Sequence, residues 1–96
     1  MVYEWNAAKA KITIQKHGVS FDQAATVFLD PLALTFPDPS HSGGEEREIT
    51  IGYTAGHQVV FVSHCQRGDR MRIISARNAT RSERRQYEEG IGKKTR

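Results

Sequence analysis

An α+β domain with element order β-α-α-β-β-β-β-α, its helices packed on one face of a largely antiparallel sheet, is what three features of the sequence predict. Two helix-spaced segments, each opened by a capping residue, occupy residues 6–30. Strand-like runs then follow one another between residues 32 and 77, joined mainly by short turns. A single helical segment closes the chain. Strands linked by hairpins pair antiparallel, which makes the sheet largely antiparallel.

Each element has its own local cause. Val2–Trp5 reads as a first strand with Tyr3 and Trp5 on one face. Asn6 is an N-cap for a helix to about Lys16, whose inner stripe is predicted as Ala10, Ile14 and His17. Lys9, Thr13 and Lys16 form another stripe, and Gly18 sits where a left-handed C-cap belongs. Ser20 with Gln23 makes a capping box for a second helix with Phe21, Ala24, Ala25 and Phe28 on its apolar face. Asp30-Pro31 ends it, because a residue before proline avoids helical angles.

Leu32–Phe36 is the next strand, and residues 37–44, which include His41, form a loop rich in Pro, Ser and Gly. Arg47, Ile49, Ile51 and Tyr53 alternate with Glu48, Thr50 and Gly52, which marks a strand. Gln58–Cys65 is apolar on both faces and is therefore central. Arg67-Gly68 turns into Arg70–Arg77, where strict alternation puts Arg70 and Arg72 on one face and Arg77 on the other. Thr80 with Glu83 caps a last helix to about Glu89, polar except for Tyr87. Residues 1–90 form one domain, and 91–96 read as a flexible basic tail.

Composition narrows the function. At 96 residues the chain supports one modest core. One cysteine, Cys65, excludes an intrachain disulfide and suits a reducing, cytoplasmic setting. The longest apolar run, Val59–Val62, is far too short for a transmembrane helix. Neither GxxxxGK nor GxGxxG occurs, which removes the glycine-rich phosphate loops. No CxxC, HxxxH or HExxH occurs either, and His64-Cys65 would point to opposite faces of a strand, so no metal site and no cofactor is expected.

The net charge of +3 hides an asymmetry. Residues 1–66 carry four Lys or Arg against seven Asp or Glu, while residues 67–96 carry ten against four. An arginine-rich third of a small domain points to nucleic acid or an acidic protein partner, since guanidinium forks match phosphates bidentately.

The best constellation is Arg72, Arg77, Arg81, Arg84 and Arg85 around the junction of last strand and last helix. Arg77 and Arg81 flank a helix N-terminus, which attracts anions, and are the candidate catalytic phosphate clamps. The alternative places Arg81, Arg84 and Arg85 in surface pairs with Glu88 and Glu89. Lys16, Arg67, Arg72 and Arg84 are the candidate contacts to the phosphates of a nucleic acid. Among the histidines, His64 and His17 are candidates for proton transfer. Each has a structural counter-reading, His17 as a helix C-terminal cation and His64 as a half-buried core residue. His57 reads as an idle hairpin residue.

Several segments resemble one family. Glu4-Trp5-Asn6, residues 16–21 (KHGVSF), 26–31 (TVFLDP), 41–47 (HSGGEER) and 72–77 (RIISAR), with Glu83-Arg84 and Tyr87, are similar to the BrnT toxins of type II toxin–antitoxin systems. The resemblance covers about residues 2–90, and its strongest markers are Lys16-His17-Gly18 and Ile74-Ser75-Ala76-Arg77 in order. It implies a compact RelE-like fold and an endoribonuclease that halts translation. It also implies neutralisation by a BrnA-type antitoxin with a ribbon-helix-helix part, through which alone the complex would touch DNA and repress its operon. Arg85 and Tyr87 on the last helix are the expected antitoxin contacts. The competing reading is a non-catalytic binding module or co-repressor.

Overall fold

A computed structural model describes residues 2–38 and 46–94. The predicted position of His41 lies outside the described residues. Five strands form one sheet in the order β1-β5-β4-β3-β2. They are β1 (Val2–Glu4), β2 (Leu34–Pro37), β3 (Arg47–Tyr53), β4 (Val59–Arg67) and β5 (Arg70–Asn78). β2 to β5 run antiparallel to their neighbours, and β1 joins the far edge parallel to β5. The helices are α1 (Ala7–His17), α2 (Phe21–Ala25), continued by a 3-10 turn over Thr26–Leu29, and α3 (Arg81–Lys94).

The caps form as the sequence predicts. Asn6 Oδ1 accepts the Lys9 N–H at 3.0 Å, and Ser20 Oγ accepts the Gln23 N–H at 3.0 Å. Gly18 closes α1 at φ 67, a conformation that costs glycine nothing. The predicted stripe of α1 is wrong. Thr13 is buried, whereas Ile14 is 49% exposed and His17 is exposed. Ala10 and Thr13 are the small side chains one turn apart, so the helix approaches the sheet along them and the bulky Ile14 is left at the rim.

α2 is shorter than expected because it tightens into the 3-10 turn. Phe21, Ala24 and Val27 then share one buried row at a spacing of three, and Phe28 is only half-buried. With Val60, Val62, Ile73 and Ala76 they form the inner core.

The helices do not all lie on one face. α3 crosses the opposite, outer face of the sheet, where Tyr87 is fully buried with Ile49, Ile51, Val59 and Ala79. A Cβ on Gly90 would stand 2.9 Å from Leu34 Cδ1, so the glycine lets α3 rest directly on β2. The helix also runs to Lys94, past the predicted end near Glu89. β4, with a buried core on each side, is the central strand that its two-sided apolar sequence predicts.

Candidate nucleic-acid interface

The outer face is organised by register. Partners across a sheet point to the same side, so the pairings define rows. Arg47, Cys65 and Arg72 form one row, Ile49, Ser63 and Ser75 the next, and Ile51, Phe61 and Arg77 a third. Arg72 and Arg77 therefore share a face, which overturns the alternation argument. The cause is a β-bulge: Ser63 pairs Ser75 while His64 pairs Ile73, leaving Ile74 unmatched. The same extra residue lets Ile73 and Ala76, three apart, both enter the inner core. Arg72 and Arg77 stand opposite Cys65 and Phe61, four residues apart on β4, or about 13 Å along the strand.

At one end of this face Lys9, Arg47, Arg67 and Arg72 line a pocket of about 180 Å³ together with Asn6. Arg72 also lies 3.7 Å from the Glu4 carboxylate. Arg67 and Arg72 belong to the predicted phosphate contacts. Lys9 and Arg47 do not stand out in the sequence, because the half that holds them is acidic overall.

At the other end Arg77 lies with its guanidinium 4.1 Å over the Phe61 ring. Its two terminal nitrogens donate to the Glu83 carboxylate at 2.7 and 2.8 Å, and one also donates to the Asn78 carbonyl at 3.3 Å. An arginine has five N–H donors, so two remain for a ligand. Glu83 accepts the Thr80 N–H at 2.9 Å and gives its own N–H to Thr80 Oγ1 at 3.2 Å, which completes the predicted capping box. The Arg77 hydrogen bond, the largest influence, holds the Glu83 carboxyl down at about 2. The pair raises the Arg77 pKa in turn. The Glu83 partnership was hidden in the sequence behind its capping role.

Arg81 begins α3 and is exposed, as are Arg84 and Arg85. The alternative pairs with Glu88 and Glu89 do not form: among the described residues none of these three arginines makes an ion pair. Their charges stay open to solvent.

The predicted imidazoles are not brought together. His17 is exposed at the end of α1, and its carbonyl accepts the Asn78 side-chain N–H at 3.3 Å, beside Arg77 in sequence. Lys16 is exposed next to it. His64 is on the inner face, 2% exposed, edge-on to Phe28 at 4.8 Å. Its Nε2 shares a 2.7 Å hydrogen bond with Thr50 Oγ1, which meets Thr35 Oγ1 at 2.8 Å. Burial holds this imidazole down at about 4, so it is neutral near pH 7, and its Nδ1 has no partner. Tyr87, an expected antitoxin contact, has no exposed surface. Its hydroxyl donates to the Asp30 carboxylate, and burial pushes its pKa up.

Among the described residues no three His, Cys, Asp or Glu side chains group as a metal site. No described helix is long and apolar enough to cross a membrane.

The arrangement can hold a polyanion along one face and neutralise charge that develops on a phosphate near Arg77. A comparison with curated sequences finds no match. The 1.1 Å crystal structure of the Brucella abortus ribonuclease toxin BrnT superposes with a TM-score of 0.65 at 24% identity, covering 84% of this chain and all of that one. The family model of the ribonuclease toxin BrnT of type II toxin–antitoxin systems matches residues 5–83. The chain belongs to the BrnT family of ribonuclease toxins.

Proposed function

We propose that this chain cleaves RNA without a metal ion and stops translation in doing so. In this reading a BrnA-type ribbon-helix-helix antitoxin holds it inactive, and the pair represses its own operon with all DNA contact made by the antitoxin. The observation that carries the reading is the outer face, where the bulge at Ile74 puts Arg77 on the same side of the sheet as Arg47 and Arg72.

The chemistry needs no group beyond the substrate and these side chains. The ribose 2′-hydroxyl loses its proton and attacks the adjacent phosphorus. The bond to the 5′-oxygen breaks, and that oxygen takes up a proton. The products are a 2′,3′-cyclic phosphate and a 5′-hydroxyl. The remaining Arg77 donors and the exposed Arg81 stabilise the extra negative charge of the five-coordinate phosphorus, the kind of contribution that is usually the largest in such reactions. Arg67, Arg72, Arg84 and Lys16 hold flanking phosphates. His17 is the imidazole a substrate can reach, whereas His64 enters the reaction only through an opening of the inner core. The outward side of α3, with Arg85, meets the antitoxin, and Tyr87 fixes the helix from beneath.

One observation favours a second reading, that of a non-catalytic binder: the Arg77 fork already holds Glu83. Incubation of the purified chain with total RNA in excess EDTA, followed by mapping of the ends, separates the two. Discrete cuts with cyclic-phosphate and 5′-hydroxyl ends are expected. Intact RNA, or cuts that require a divalent ion, would overturn the proposal.

A further inference from the structure

A second recess lies on the other flank of α3. Tyr87 points into the sheet, and at 100° per residue Glu83 falls to one side of it and Arg84 and Glu88 to the other. Glu83 faces Arg77. Arg84 and Glu88 instead wall a pocket of about 500 Å³ with Tyr53, His57, Gln58 and Asn78. The pocket is predominantly polar and opens at the rim of the sheet where β5 leads into α3.

Its lining carries complementary groups. Tyr53 is 40% exposed, and its ring is steadied by an edge contact with Tyr87, centroids 5.4 Å apart. Arg84 has no ion pair among the described residues. Gln58 offers a carboxamide with a donor and an acceptor, and Glu88 only acceptors. His57 is held at φ 64, unusual for a residue with a side chain, by the hairpin bond from its N–H to the Thr54 carbonyl at 3.0 Å. That hairpin sets the imidazole against the recess.

We infer that this recess binds one nucleotide of a single-stranded RNA, its base against Tyr53 and its phosphate on Arg84. The inference rests on the RNA-cleaving reading and adds a base-recognition site to it. Asn78 lines the recess and adjoins Arg77 in sequence, so a strand rounding the N-terminus of α3 past Arg81 reaches both sites. Aromatic stacking accepts any base, but the Glu88 carboxylate can only accept hydrogen bonds. It therefore favours bases that present an amino group over uracil.

The test uses the intact chain and 2′-O-methyl oligonucleotides, which bind without being cleaved, with labelled-RNA anisotropy as the readout. Tyr53→Leu and Arg84→Gln should each weaken binding of an adenine- or cytosine-containing hexamer by about tenfold. Glu88→Gln should bring oligo-U to within about twofold of the same hexamer, a change that a merely structural role would not produce. Melting temperatures within a few degrees of wild type (Arg84→Lys serving if Arg84→Gln melts low) keep the comparison valid. Equal affinity of folded variants and wild type would overturn the inference, as would variants that bind RNA normally and lose only the antitoxin. If wild type cleaves nothing yet binds the hexamer in a Tyr53- and Arg84-dependent way, the ribonuclease reading fails and the recess stands.

Discussion

The two faces of the sheet are made by the same strands and have opposite chemistry. On the inner face α1, α2 and the 3-10 turn seal Val60, Val62, Ile73 and Ala76, and even His64 is kept neutral there by burial. On the outer face α3 covers Ile49, Ile51 and Val59, and the rest carries Arg47, Arg72 and Arg77. The lesson is that one unmatched residue, Ile74, decides which face receives Arg77. A regular strand would leave it on the side opposite Arg72.

The largest difference between the faces should appear in stability. Val60→Asp puts a carboxylate without a partner at a position with no exposure, and the domain should lose more than about 4 kcal/mol, enough to prevent folding. Arg72→Ala on the outer face should cost less than about 1 kcal/mol, since its contact with Glu4 is partly exposed and 3.7 Å long. Thermal melts of the two variants check this, and equal losses would erase the distinction.

Acid should then act on the faces in sequence. His64 has a folded pKa of about 4, below its ordinary 6.5, so the unfolded chain binds the proton more readily. Its contribution is complete above pH 6.5 and is lost as pH falls toward 4, on the order of 3 kcal/mol in all. Glu83, at about 2 against an ordinary 4.5, contributes fully above pH 4.5 and loses that contribution as pH falls through 2. Melting temperature should decline in two stages. His64→Gln should flatten the first and Glu83→Gln the second. A single decline unaffected by His64→Gln would mean that this imidazole is not neutralised by the core.

A smaller effect sharpens the role of α3. Tyr87→Phe keeps the buried ring and removes its hydrogen bond to Asp30. Asp30 still accepts the Leu32 and Tyr53 N–H groups, each at 2.9 Å, so the loss should be about 1–2 kcal/mol. Hydrogen exchange should show the loss concentrated in α3. A uniform change across the sheet would mean that the helix and sheet unfold as one unit.

Much of this architecture was legible in the sequence where its cause is local. Asn6, Ser20 and Thr80 announce their helices because a cap is a contact over three residues, and Gly18 ends its helix for the same reason. The two-sided apolar run of β4 announces a central strand. The bulge was not legible, since the adjacent Ile73 and Ile74 suit either phase of the pleat. The face taken by α3 was not legible either, because Tyr87 alone marks its buried side. The candidate site divided in the same way. The arginines stood out by type, whereas Glu83 and Phe61 around Arg77, and Lys9 and Arg47 around Arg72, are assembled only by folding.

The central claim is that Arg77, carried to the outer face by the bulge and helped by Arg81, holds the phosphate at which RNA is cut. The most direct test is the single-turnover cleavage rate in EDTA of wild type, Arg77→Lys and Arg81→Ala, with melting temperature measured on the same samples. The account predicts folded variants slowed by roughly 100-fold or more, since removing one preorganised donor to an oxyanion costs about that much. Arg77→Lys should be among them because lysine keeps the charge and loses the fork. Wild-type rates in both variants would contradict it and move the chemistry to the region of Lys16 and His17.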